Sequence, residues 1–226
     1  MKLIAISQSN YIPWKGYFDL IKSVDEFVIY DEMQYTKNDW RNRNMIKTIN
    51  GVEWITIPIK HSGHFGQKIN ETKTTNVLWK KKHWKTLKQN YSKAPFFNQY
   101  STFIEALYLN NTEVNLSMIN YSFINVICKI LEIDTKITFS KDLNLVGNKS
   151  EKIINICKQL NAKSYISGPA AKNYIDKELF KKEKIDLKWM DYSKYKPYHQ
   201  LHGSFNHNVT ILDLIFNEGE NAKNFL

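Results

Sequence analysis

The sequence predicts an α/β protein, a sheet of mostly parallel strands covered by helices, with a helical insertion in the middle of the chain. Three observations carry this. Short apolar runs rich in β-branched residues alternate with amphipathic segments at both ends of the chain. The longest helical periodicities sit between 79 and 131, away from those runs. There are no repeats and no low-complexity linker, so 1–226 is expected to be a single domain, a length that buries one good core.

Residues 3–7 read as a buried strand, 15–22 as a helix and 26–31 as a second strand; 52–59, with β-branched and aromatic residues, reads as a third. In the helix expected over 79–91, Trp84, Leu87 and Tyr91 share one face and five lysines cover much of the rest. Pro95 begins or closely precedes another helix. Residues 116–131 give the clearest amphipathic helix, through Leu116, Ile119, Phe123, Ile127 and Leu131. The alternation then resumes with a strand at 136–139, a helix at 151–160 capped by Ser150, and a strand at 164–167. A helix start at 169–174, a strand at 185–190 and a last helix at 209–216 complete the pattern.

Ligands of open α/β sheets bind outside the carboxyl ends of parallel strands. Three polar segments begin at such ends: 8–14, 31–44 and Ser167-Gly168-Pro169. If the strands are parallel, these loops converge on one rim.

One of those loops holds the compositional oddity of the chain. Of 32 basic residues only Arg41 and Arg43 are arginine, both within Trp40-Arg41-Asn42-Arg43-Asn44. In a lysine-, isoleucine- and asparagine-rich chain, a retained arginine is a candidate for work lysine cannot do. Such work is forked contact with a carboxylate or phosphate, or stacking of the planar guanidinium on a ring. The competing reading is that the arginines pack on Trp40 as surface structure.

The segment from Gln8 to Phe18 offers amide, hydroxyl and aromatic groups ahead of a helix start. Gln8, Asn10, Tyr11, Trp14 and Tyr17 are candidate ligand contacts, with Trp14 and Phe18 also suited to plugging one end of the sheet. Gln34, Trp40, Asn42, Ser167 and Gly168 join them from the other two loops. Asp31, at the end of the second strand, is a candidate base; it is equally placed to cap its loop or pair with Arg41 or Arg43. His83 is the better-placed histidine for a base, since Trp84 and surrounding cations would lower its pKa. His199-x-x-His202 resembles half a metal site, but no third ligand has a defined spacing, and His61 and His64 flank a glycine-containing loop; no metal or cofactor is expected. Cys128 and Cys157 fall on apolar helix stripes and read as reduced core residues. No Walker loop, GxGxxG or Ser-His-Asp order is present.

The net charge of +10 and pI ≈ 9.3 point to an anionic partner. The excess is dispersed lysine without an RNA- or DNA-binding signature. An anionic substrate is therefore preferred over a polynucleotide. No apolar run approaches the roughly 20 residues of a membrane span, and the N-terminus does not read as a signal peptide, so the expectation is a cytoplasmic protein without membrane insertion.

The motifs Gln8-Ser9-Asn10-Tyr11-Ile12-Pro13-Trp14-Lys15-Gly16-Tyr17-Phe18, Tyr30-Asp31-Glu32-Met33-Gln34-Tyr35 and Asp39-Trp40-Arg41-Asn42-Arg43-Asn44 closely resemble the WbqC-like protein family. So do Tyr165-Ile166-Ser167-Gly168-Pro169-Ala170-Ala171 and Ile211-Leu212-Asp213-Leu214-Ile215-Phe216-Asn217. The resemblance implies a role in bacterial surface-polysaccharide, typically O-antigen, biosynthesis. It suggests a transferase acting on a sugar or sugar nucleotide, with amino-acid (glycine) transfer as the suggested activity and an aminoacyl-tRNA as one conceivable donor. Within that reading Arg41 and Arg43 would hold a diphosphate, Trp40 or Tyr11 would stack on a base or sugar, and Asp31 or His83 would be the base. The alternatives are a non-catalytic nucleotide-sugar binding protein of the same pathway and an RNA-binding module. A fainter analogy links Trp14-Lys15-Gly16-Tyr17 to the His-x-Gly-His motif of nucleotidylyltransferases; the glycine is kept and both histidines are lost, which argues against adenylyl transfer.

Overall fold

The computed structural model describes residues 1–60, 63 and 66–226. In chain order its strands are β1 (Leu3–Ser7), β2 (Glu26–Ile29), β3 (Arg43–Thr48), β4 (Gly51–Thr56), β5 (Lys136–Phe139), β6 (Ser164–Ser167) and β7 (Asp186–Trp189). Its helices are α1 (Lys15–Lys22), α2 (Leu78–Tyr91), α3 (Phe97–Leu109), α4 (Leu116–Ile130), α5 (Lys149–Gln159), α6 (Lys177–Lys182) and α7 (Ile211–Glu218). Two compact units result. The first comprises 1–8, 16–33 and 133–194; the second comprises 9–15, 34–132 and 195–226.

The first unit is the expected α/β layer structure. Its five strands run in the order β5-β2-β1-β6-β7, and every pairing is parallel. Strand residues alternate between faces. Ile4, Ile6, Val28 and Tyr165 join a core with Ile154 and Cys157 of α5 and Phe180 of α6. On the opposite face Phe27 meets Tyr17 of α1, ring centroids 5.4 Å apart. At the other end of β2, buried Glu26 receives Lys2 at 2.7 Å, Lys136 at 2.9 Å and the Thr138 hydroxyl. Burial alone would raise its pKa, but these hydrogen bonds outweigh it and hold the carboxyl at about 2.

The second unit is mainly helical, with one antiparallel hairpin, β3–β4. The α2 face carrying Trp79, His83, Trp84, Leu87 and Tyr91 is buried, as the spacing predicts. Lys80 falls on that face too, and its ammonium donates to the carbonyls of Asn111 and Glu113. Trp84 stacks on Phe97 of α3, and Phe97 packs on Phe216 of α7. Buried Asp213 of α7 accepts from Tyr91 Oη at 3.0 Å and Tyr198 Oη at 2.8 Å.

Several boundaries differ from the sequence reading for local reasons. β2 stops at Ile29; Tyr30 still donates its N–H to Ser7, but Asp31 lies beyond the strand. The third strand ends at Thr56, and its partner β3 was unforeseen. α5 begins at Lys149 after Asn148, whose N–H donates to Glu151 at 2.8 Å, so Asn148 and not Ser150 is the cap. Pro169 opens a short 3-10 turn, Pro169–Asn173, and the helix proper, α6, follows Asp176, whose carboxylate caps it. The final strand and helix begin later than read, at Asp186 and Ile211, the latter capped by Thr210. Cys128 and Cys157 are buried free thiols, each pushed up to about 12 by burial. His61 and His64 lie outside the described residues. Among the described residues no helix is long and apolar enough to cross a membrane.

Candidate functional site

In the sheet unit, β1 connects through α1 to β2 on one side, while the next strand across the sheet, β6, continues to β7 on the other. The strand order therefore reverses between β1 and β6, and the crevice outside their carboxyl ends is the position at which such sheets receive ligands. Ser7 ends one strand at this edge and Gln8 follows it; Ser167 ends the other and Gly168 follows. The Gln8 carbonyl accepts from Tyr17 Oη at 3.0 Å, which fixes the start of that loop. Tyr17 is otherwise buried against Phe18 and Phe27. Ser167 is buried and its carbonyl accepts from the Met190 N–H at 2.9 Å. Gly168 has an ordinary φ of −64°, and a Cβ there would come no closer than 3.7 Å to the Tyr192 hydroxyl. Neither backbone nor packing requires a glycine at this turn. Asp31, two residues past β2, is buried.

The second unit holds Asn10, Tyr11, Trp14, Gln34, His83 and the arginine motif. Arg41 is held at both ends of its fork: Nη1 donates to Asn10 Oδ1 and Nη2 lies 3.6 Å from Asp39 Oδ2. Its backbone carbonyl accepts from Asn120 Nδ2 at 2.9 Å. Arg43 opens β3 and projects across the hairpin, its guanidinium carbon 4.0 Å from the Trp54 ring centre. Register explains the contact. Met45 pairs with Trp54 and Arg43 with Thr56, so Arg43 and Trp54 are diagonal neighbours on one face. Trp40, on the same motif, lies 5.1 Å from Trp54 between ring centres, and both indoles are about two-fifths exposed (40% and 43%).

Asn42 and Asn44 are buried braces. Asn42 Nδ2 donates to the Ile57 carbonyl at 2.9 Å, and Asn44 Nδ2 to the carbonyls of Tyr11 and Ile12 at 3.0 and 2.9 Å. Gln34 is exposed and makes an isolated bridge with Lys68. Trp14 is half-buried against Tyr195.

Tyr11 and His83 sit together in the interior. Tyr11 is enclosed edge-on by Trp79 and Phe123, and its hydroxyl lies 2.9 Å from His83 Nδ1 and also bonds to Tyr108. Burial lowers the His83 pKa to about 4, opposed by a Thr56 backbone hydrogen bond and aided by Lys82. The ring is therefore neutral at pH 7. With its N–H turned to the Thr56 carbonyl, Nδ1 accepts from Tyr11, and Tyr11 in turn accepts from Tyr108. The pKa falls as the sequence suggested, but chiefly by burial and with Trp79, not Trp84, as its close aromatic contact (centroids 5.1 Å apart).

Three residues escaped the sequence reading: Trp54, Asp39 and Lys15. The alternation of Val52, Trp54 and Thr56 against Ile55 and Ile57 was the available signal for an outward Trp54. Lys15 is buried, its Nζ donating to the Lys196 carbonyl at 3.2 Å and lying 4.4 Å over the Tyr195 ring. Nothing in the residue type signalled that burial. Among the described residues no three His, Cys, Asp or Glu side chains gather as metal ligands, and His202 Nε2 faces the Asn90 carbonyl at 2.9 Å.

The model of the WbqC-like protein family matches residues 8–225. An uncharacterized protein of Mycobacterium tuberculosis, Rv1507c, is 48% identical over 226 residues, covering all of this chain and 98% of that protein. No solved structure matches. With the motifs of both units inside the matched span, the chain belongs to the WbqC-like protein family.

Proposed function

We propose that the chain is a transferase modifying a sugar or sugar nucleotide, and that its anionic substrate is received outside the carboxyl ends of β1 and β6. The family's association is with O-antigen and surface-polysaccharide biosynthesis. The observation that carries the reading is the reversal of strand order between β1 and β6, together with a glycine, Gly168, that the fold itself does not need. A glycine without a conformational reason leaves room for close approach of a ligand to backbone.

The suggested chemistry is amino-acid transfer, glycine being the simplest case. The nitrogen lone pair of an amino sugar attacks the carbon of an activated acyl group. The tetrahedral intermediate collapses to an amide as the activating group leaves with its electron pair, and the amine proton passes to a base. Asp31, buried just past β2, is the residue we assign to that proton; backbone N–H groups at the strand ends are the donors available to the oxyanion.

Thermal shift tests the binding half. Uridine, guanosine and thymidine diphosphate sugars are added to wild type and to Gly168→Val. Wild type gains melting temperature with at least one of them, as ligand linkage requires. Gly168→Val melts near wild type without ligand and loses that gain. Failure of every nucleotide sugar to stabilise wild type rejects the reading.

A further inference from the structure

The geometry points to a second binding feature, an acidic-sugar platform made by Trp40, Trp54 and Arg43. Two indoles lie 5.1 Å apart between ring centres and are tilted 45°. Each keeps about two-fifths of its surface in water, an unusual exposure for neighbouring large aromatic side chains. Indole faces stack well on the C–H groups of a pyranose ring, which carry slight positive charge toward the negative π face.

The charge of the platform selects among rings. Asp39 is engaged by Arg41, and Arg41 is further held by Asn10. Arg43 is different. Among the described residues its guanidinium meets no carboxylate and donates no hydrogen bond; its Nε is buried without a hydrogen-bond partner. Its guanidinium carbon lies 4.0 Å from the centre of the Trp54 ring, a contact that holds the group in place while its terminal N–H donors remain for a ligand. One fixed cation beside two exposed indoles fits a pyranose bearing a single anionic substituent, a carboxylate or a phosphate. A polynucleotide fits less well, because the motif places a carboxylate, Asp39, directly beside Trp40. The platform's ligand is a monosaccharide unit without a nucleotide, so this inference stands apart from the nucleotide-sugar site at β1 and β6.

Ligand-observed NMR titration of the full chain tests it, with glucuronic acid, glucose 1-phosphate, glucose and inorganic phosphate as probes. The expected result is saturable binding of both acidic sugars, about tenfold or more tighter than glucose, the scale of a charge-assisted hydrogen bond. Inorganic phosphate binds more weakly than either acidic sugar. Trp40→Ala weakens both acidic sugars at least about tenfold while leaving the melting temperature near wild type, as loss of an exposed side chain should. Arg43→Gln abolishes the preference for acidic sugars over glucose. A carboxylate-only or phosphate-only response identifies which substituent the site takes and supports the inference. Equal binding of glucose and the acidic sugars overturns it. So does equal binding of phosphate with no effect of Trp40→Ala, or no saturable binding of either acidic sugar.

Discussion

The Arg43 guanidinium carbon lies 4.0 Å from the centre of the Trp54 ring, across the diagonal of the β3–β4 hairpin. This contact and the fork of Arg41 between Asn10 and Asp39 are both geometries that a lysine ammonium cannot reproduce. The retention of two arginines in a lysine-rich chain thus has an intramolecular reason in each case. Arg41 is the more completely used; Arg43 keeps donors in reserve.

The two positions should therefore respond differently to lysine. Arg41→Lys loses one arm of a fork that ties Asn10 to Asp39, and should lower unfolding free energy by about 1–2 kcal/mol. Arg43→Lys loses only a half-buried cation–ring contact, worth about 0.5–1 kcal/mol. Urea denaturation of both variants reads the difference. Equal and negligible losses would mean that neither contact persists in solution.

His83 gives a pH signature. Its folded pKa of about 4 lies below the usual histidine value near 6.5, because burial disfavours the imidazolium. Above that usual value both states are neutral and the residue contributes no pH dependence. As pH falls from about 6.5 to 4 the unfolded chain takes up a proton that the folded chain refuses, so stability falls by up to about 3 kcal/mol. Denaturation at pH 7, 5.5 and 4.5 should show this loss, and His83→Gln should flatten it.

Glu26 acts at lower pH. Burial opposes its charge, but Lys2, Thr138 and Lys136 hold the folded pKa at about 2 against an ordinary 4.5. The stability it contributes is present above about 4.5 and is lost as pH falls through about 2. Glu26→Gln should therefore remove the acid step below pH 4.5 while preserving the one due to His83. An unaltered step in that variant would place the acid sensitivity elsewhere.

Asp213 is a burial problem solved by tyrosines. It is fully enclosed, burial raises its pKa, and hydroxyls of Tyr91 and Tyr198 oppose that rise. Asp213→Ala strands two buried donors and should cost about 3 kcal/mol or more, whereas Tyr198→Phe, removing one donor, should cost about 1–2. Chemical denaturation of both variants checks the order; the reverse order would contradict the hydrogen-bonding pattern.

Legibility of the sequence followed the physics of each segment. β1, α1, β5 and β6 were read to their ends because apolar runs or periodicity stop there at polar or turn-forming residues. β3 was missed because Arg43-Asn44-Met45-Ile46-Lys47-Thr48 is half polar. Its strand form is stabilised by distant partners: Asn44 bonds to Tyr11 and Ile12, and the Lys47 N–H donates to Tyr91 Oη at 2.9 Å. Such long-range support leaves no local pattern. The strand-end edge holding Ser167 and Gly168 was legible from the α/β alternation alone. The exposure of Trp54 was not, because strand alternation says which side chains share a face but not whether that face meets water. Tyr11 illustrates the converse. A motif crowded with polar and aromatic groups suggested ligand contact, and the ring is instead enclosed, with its hydroxyl bonded to His83 and Tyr108.

If this chain modifies a surface-polysaccharide sugar, mass spectrometry of that polysaccharide will show the change. Glycan from cells carrying the gene is compared with glycan from a deletion strain and from deletion strains complemented with wild type or Asp31→Asn. The deletion strain is expected to lack one acyl or aminoacyl substituent, with a mass decrement on a single sugar of the repeat. Wild type restores it, and Asp31→Asn does not, although that variant accumulates and melts like wild type. An identical glycan in all four strains would rule out a role in modifying that polysaccharide.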